Sequence, residues 1–152
     1  MKITFYDLLA FVHIFSAILG LGPGFMMIPV VSKAKTMEEL RYAFAIRGRL
    51  HRCVMIGGTL LLVTGLIMGS LRPHLFTEGW YVLSLALFLI GLAFGPLVLS
   101  PKSKPIKKLL NEYQGKNIPV AYDQLSRKLF FYENIENFLF LLIIVLMISK
   151  PF

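Results

Sequence analysis

Apolar positions in this chain come in four long runs rather than in alternation: about Phe5 to Val31, Cys53 to Ser70, Trp80 to Ser100 and Leu129 to Ile148. A helix needs about 20 apolar residues to cross about 30 Å of hydrocarbon, and each run is near that length. A barrel would show short alternating segments instead. The pattern therefore predicts an all-α fold over residues 1–152, a four-helix up-and-down transmembrane bundle in a single domain. The first run carries Asp7, is too long for a secretion signal and lacks a small-x-small cleavage site, so it reads as a retained span. Between the second and third runs, LRPHLFTEGW has Pro73 and Gly79 as breakers and predicts a tight turn. The longer polar stretches predict short helices. MEELRYAFAIRGRL leads into the second span, while Pro105 and Pro119 bound the pieces KKLLNEY and AYDQLSRKLFFY, the latter placed to run into the fourth.

Small residues recur at helical spacing inside the runs, and helices in lipid associate by close approach rather than by hydrophobic sorting. Ala10, His13, Ala17, Gly20 and Gly24 share one face of the first helix. Gly58, Gly65 and Gly69 share a face of the second, with Met55 and His51 continuing it, and Ser84, Gly91 and Gly95 align on the third. These faces are the predicted contacts, with Pro23 in GLGPG expected to bend or loosen the first helix.

Composition agrees: 57% of residues are hydrophobic and 16% charged, against about a quarter charged in soluble domains. The net charge of +8 gains meaning from its distribution. Of the 16 Lys and Arg, 13 lie between the first and second or the third and fourth spans; Lys2, Arg72 and Lys150 alone fall on the other side. That asymmetry predicts a multi-pass protein of the cell membrane with both basic loops in the cytoplasm and both termini outside. The bilayer is its surrounding partner, with anionic lipid expected at the basic loops. Nucleic acid is not, because no stacking aromatics or recognition motif accompany the charges. Self-association into a homo-oligomer stays open. The single cysteine, Cys53, excludes an internal disulfide.

Three features carry candidate chemistry. His13 lies well inside the first span on its small-residue face, and an ionisable side chain there is a functional candidate. One reading is a packed histidine bonded to Ser16, Tyr6 or a neighbouring helix. Another is an axial ligand of a haem b, with Gly20 and Gly24 letting a flat macrocycle approach the backbone. A proton relay is a third. At the basic end, His51 and Met55 are four residues apart, and Met26 and Met27 reach the same level, a soft set suited to copper or to capping a haem. His13 and His51 stand about 20 to 25 Å apart along the bundle axis, too far to share one haem. The third feature is YENIEN: Glu133, Glu136 and Asn137 face the level of Arg47, Arg49 and Arg52. They predict a polar belt in which Glu136 pairs with an arginine, either pinning two helices or forming an entrance for a proton, ion or anion.

The segments VHIFSAILGLGPGF and LLLVTGLIMG resemble a bacterial family of four-span predicted integral membrane proteins of unknown function. The pattern extends over nearly the whole chain: an early histidine, small residues one to three turns later, and a Thr-Gly pair in the second helix. A remoter similarity runs to the copper-resistance D-type membrane proteins and the HemJ-type membrane protoporphyrinogen oxidases. It implies haem or copper chemistry with His13 in the place of their first-helix histidine. The tryptophan that follows that histidine in the oxidase pattern is absent here.

Overall fold

A computed structural model describes residues 3–152. Four rods in it are long and apolar enough to cross a membrane. The first is α1, Phe5–Ser32, and the second is α2, Met37–Leu71. The third comprises α3, Gly79–Phe94, a π-helical turn at Gly95–Leu99, and α4, Ser100–Glu112. The fourth is α5, Val120–Ser149. A 3-10 turn, Pro73–Thr77, joins α2 to α3.

The first rod starts where the chemistry of its cap dictates. Thr4 and Asp7 form a capping box: the Asp7 N–H donates to Thr4 Oγ1 and the Thr4 N–H to Asp7 Oδ2. Asp7 is thus a cap at the edge of the span. Pro23 and Pro29 sit inside α1 without ending it. Gly20 has a definite task, because a Cβ there would lie 2.7 Å from the Gly58 nitrogen and 2.8 Å from the Gly57 carbonyl carbon. The α1 and α2 backbones touch at this level, which only glycine permits.

The expected inner-loop helices exist, and MEELRYAFAIRGRL and AYDQLSRKLFFY run on into the second and fourth spans as expected. α2 has 35 residues, about 52 Å at 1.5 Å per residue, well beyond the hydrocarbon thickness. KKLLNEY is likewise no separate piece, since α4 runs on from α3 through Pro105. Pro96 explains the intervening π turn: its ring excludes the carbonyl four residues back, and the helix widens until the Ser100 N–H bonds the Gly95 carbonyl.

The extensions bury a core of their own at the basic end. Met37, Leu40, Ile106, Leu110, Tyr122 and Leu129 form it, with Leu40, Ile106 and Leu129 fully inaccessible. Backbone ties seal it. The Met37 N–H donates to the Lys116 carbonyl at 2.9 Å, and the Arg41 guanidinium bonds the carbonyls of Leu110 and Tyr113, closing the C-terminus of α4.

Within the spans, α1 packs chiefly on α2 and α3 on α5, giving two helix pairs. They meet in a mid-span cluster of Leu21, Leu61, Phe88, Phe140 and Ile143. Phe11, Ile18, Phe138 and Val145 are exposed around the outside, as expected of side chains facing acyl chains.

Candidate functional site

Toward the end that carries the termini, the two helix pairs part and leave a cavity of about 1010 Å³. Leu21, Leu61, Phe88 and Ile143 of the mid-span cluster form its floor. Its walls are mostly apolar, with His13 of α1 and Ser84 of α3 among them and Arg72, His74, Glu78 and Lys150 around the mouth.

His13 is oriented by α2. Its Nδ1 lies 2.8 Å from Thr64 Oγ1, and the Thr64 hydroxyl lies 2.7 Å from the Leu60 carbonyl. A hydroxyl has one proton, and the carbonyl can only accept it, so Thr64 Oγ1 is left to accept from His13. The imidazole therefore carries its proton on Nδ1, and Nε2 keeps a free electron pair. Gly65 makes room for the ring: a Cβ there would stand 3.3 Å from His13 Cε1. Ser16, one of the partners proposed for His13, instead donates to the Val12 carbonyl at 2.6 Å.

Ser84 is the second polar group on the wall. Ser16, Thr59, Thr64, Ser70 and Ser149 each bond the carbonyl four residues back. Ser84 Oγ, though fully buried, has no partner among the described residues. It stands one turn below Tyr81, whose hydroxyl donates to the Gly65 carbonyl at 2.8 Å, and it lines the same cavity as His13.

The other sequence candidates are placed differently. Gly20 and Gly24 do not line the cavity; Gly20 is spent on the α1–α2 contact and Gly24 faces Asn137. The glycines that line it are Gly22, which has open space beside it, and Gly65. His51 and Met55 are not on the contact face of α2, because the buried stripe at that level runs through Gly57 and Gly58. Both are exposed, as is Met26. Among the described residues, no three His, Cys, Asp or Glu side chains are grouped to hold a metal ion. His74, by contrast, reaches the mouth of the cavity that His13 lines.

The polar belt contracts to one clamp. Arg47 pairs through both terminal nitrogens with Glu133, joining α2 to α5, with the side chains 11% and 5% exposed. Glu136, expected to take that role, has no ion pair among the described residues, and Arg49 and Arg52 face outward. Helix phase decides this: Glu133 and Arg47 point into the bundle, whereas Arg49 and Arg52 lie two and five positions round from Arg47. Arg72, Lys150 and Thr64 had no assigned role from the sequence; the Thr-Gly pair was the one local signal near them.

No curated protein and no solved structure matches the chain. The model of the family described as Predicted integral membrane protein (DUF2269) matches residues 7–151, and the chain belongs to that family.

Proposed function

We propose that this integral membrane protein is a haem b-binding redox module, in which His13 would hold the iron and the cavity at the termini end would house the haem. The observation that carries the reading is the His13–Thr64 hydrogen bond on the cavity wall. Metal-binding histidines donate their other ring N–H to a fixed acceptor, which sets the tautomer and the ring plane. Thr64 does this for His13 before any ligand arrives.

The remaining residues fit the group. The apolar walls suit a macrocycle, Gly22 and Gly65 keep the approach clear, and the volume stands at the top of the range of about 300–1,000 Å³ typical of ligand pockets. Cys53 lies on α2 outside the cavity lining, so attachment would be non-covalent, as in b-type haem. Bound there, haem supplies one-electron exchange between ferric and ferrous iron. The chain's part is to hold the iron through Nε2, exclude water with the mid-span cluster, and fix the ring through Thr64. The charge asymmetry supports a plasma-membrane orientation with the basic end in the cytoplasm, so that the cavity opens outward and the basic extensions meet anionic lipid.

The test is the absorption spectrum of the detergent-purified chain, as isolated and after titration with haem. The expected result is a Soret band saturating at one haem per chain. A protein that stays colourless as isolated and takes up no haem on titration would overturn the proposal.

A further inference from the structure

Two cations stand at the cavity mouth, and among the described residues neither forms a direct ion pair. Arg72 ends α2 and Lys150 ends α5, one from each helix pair. The ion pairs among the described residues are Arg47–Glu133 and Lys108–Glu112, both at the basic end. Arg72 lies over the Tyr6 ring, 3.7 Å from its centroid, and Lys150 over the Trp80 ring at 5.2 Å. Those aromatic faces position the charges without neutralising them. Of the carboxylates nearby, Asp7 bonds the Thr4 cap and attracts Arg72 from a distance without pairing with it, and Glu78 at the mouth pairs with neither cation. The wall below is apolar down to His13 and Ser84.

We infer that the occupant of the cavity is an apolar body with two acid groups on one edge, and that Arg72 and Lys150 anchor those acids. The inference rests on the haem reading and deepens it, since it assigns the protein's grip on the porphyrin's two carboxylates. Charge complementarity supports it: two cations, one from each helix pair, match two anions better than one. Spacing supports it as well. Thr64, which holds His13, and Arg72 are eight residues apart on one helix, about 12 Å along its axis. A macrocycle standing along that axis presents its centre to His13 and its acid edge to the mouth. Anionic lipids, with one charged head and no ring for His13, fit the same cations less completely.

Iron-free protoporphyrin IX separates this anchoring from ligation at His13. The full chain in neutral detergent is titrated with protoporphyrin IX and with its dimethyl ester, and with haem in parallel. The quantity read is the ratio of the two porphyrin affinities, because comparing that ratio between variants cancels partition into micelles. The wild type should prefer the free acid by about tenfold or more, as charge-assisted contacts at a part-buried site allow. R72Q/K150Q should lose that preference, R72K/K150R should keep it, and H13A should leave the ratio unchanged while losing haem. The conservative double variant guards against misfolding as the cause of loss. Equal binding of acid and ester by the wild type, or retention of the preference in R72Q/K150Q, would overturn the anchor. If haem binds through His13 under those results, the haem reading stands and this inference alone fails. If neither haem nor porphyrin binds, both fail.

Discussion

The Arg47–Glu133 clamp gives a sharp prediction about stability. In Glu133→Ala the guanidinium, whose side chain is 11% exposed, loses its carboxylate and stays in place against Phe44. Removing one partner of a buried ion pair costs about 3–5 kcal/mol because the other charge is stranded. The Phe44 contact is present in both proteins and cancels, while the nearby Glu136 carboxylate still attracts Arg47 and holds the loss to the low end of that range. The expected loss is therefore about 3 kcal/mol. Glu112→Ala is the control. Its pair with Lys108 spans 4.0 Å with side chains 68% and 74% exposed, so its loss should stay below about 0.5 kcal/mol. Glu136→Ala should fall between the two. The double variant Arg47→Met/Glu133→Leu should recover most of the loss, since replacing a buried pair with apolar side chains is often neutral. Reversible unfolding in mixed micelles measures all four. A Glu133→Ala protein as stable as Glu112→Ala, or a double variant no better than the single, would refute the reasoning.

Other consequences follow from the same geometry. Gly20→Val should destabilise the bundle by about 1–3 kcal/mol or more, because the added carbons meet α2 backbone that cannot yield, and the same unfolding assay reads it. Gly22→Val, with open space beside it, should cost far less. Thr64→Val removes the acceptor for His13 at nearly constant shape, and haem affinity should fall by about 10- to 100-fold in a haem titration. For topology, cysteines placed at Lys35 and Lys108 after replacing Cys53 should resist an impermeant thiol reagent in intact cells. One placed at His74 should label, and the reverse pattern would invert the assignment.

The four spans were legible in the sequence because a bilayer imposes one strong rule on length and polarity. Their true helix lengths were less so. MEELRYAFAIRGRL was expected to lead into the second span and does, burying Met37 and Leu40 in a second core, whereas KKLLNEY was set apart by Pro105, through which the helix in fact continues. His13 was legible as an anomaly on a small-residue stripe expected to face the bundle, and the structure bonds it to Thr64 of α2. Its partner was not, because Thr64 is 51 residues away and many hydroxyls were available to it. The choice of Glu133 over Glu136 depended on helix rotation, and three positions of sequence do not fix rotation. The cavity was hidden for a similar reason: it arises from the parting of two helix pairs, which no single helix records. Arg72 and Lys150 read only as minor charges on the sparse side, because the cavity mouth that both line is formed by helices far apart in sequence.

The central claim, that His13 holds the occupant through a free Nε2, is tested most directly by chemical rescue. His13→Gly leaves a space the size of the ring beside Gly65 and Thr64. Haem is titrated into wild type and variant by absorbance, each with and without added imidazole. The wild type should show a saturable Soret band and His13→Gly a weak or missing one, with the wild-type band recovered when imidazole fills the space. A His13→Gly protein that binds haem with wild-type affinity and spectrum in the absence of imidazole would contradict it.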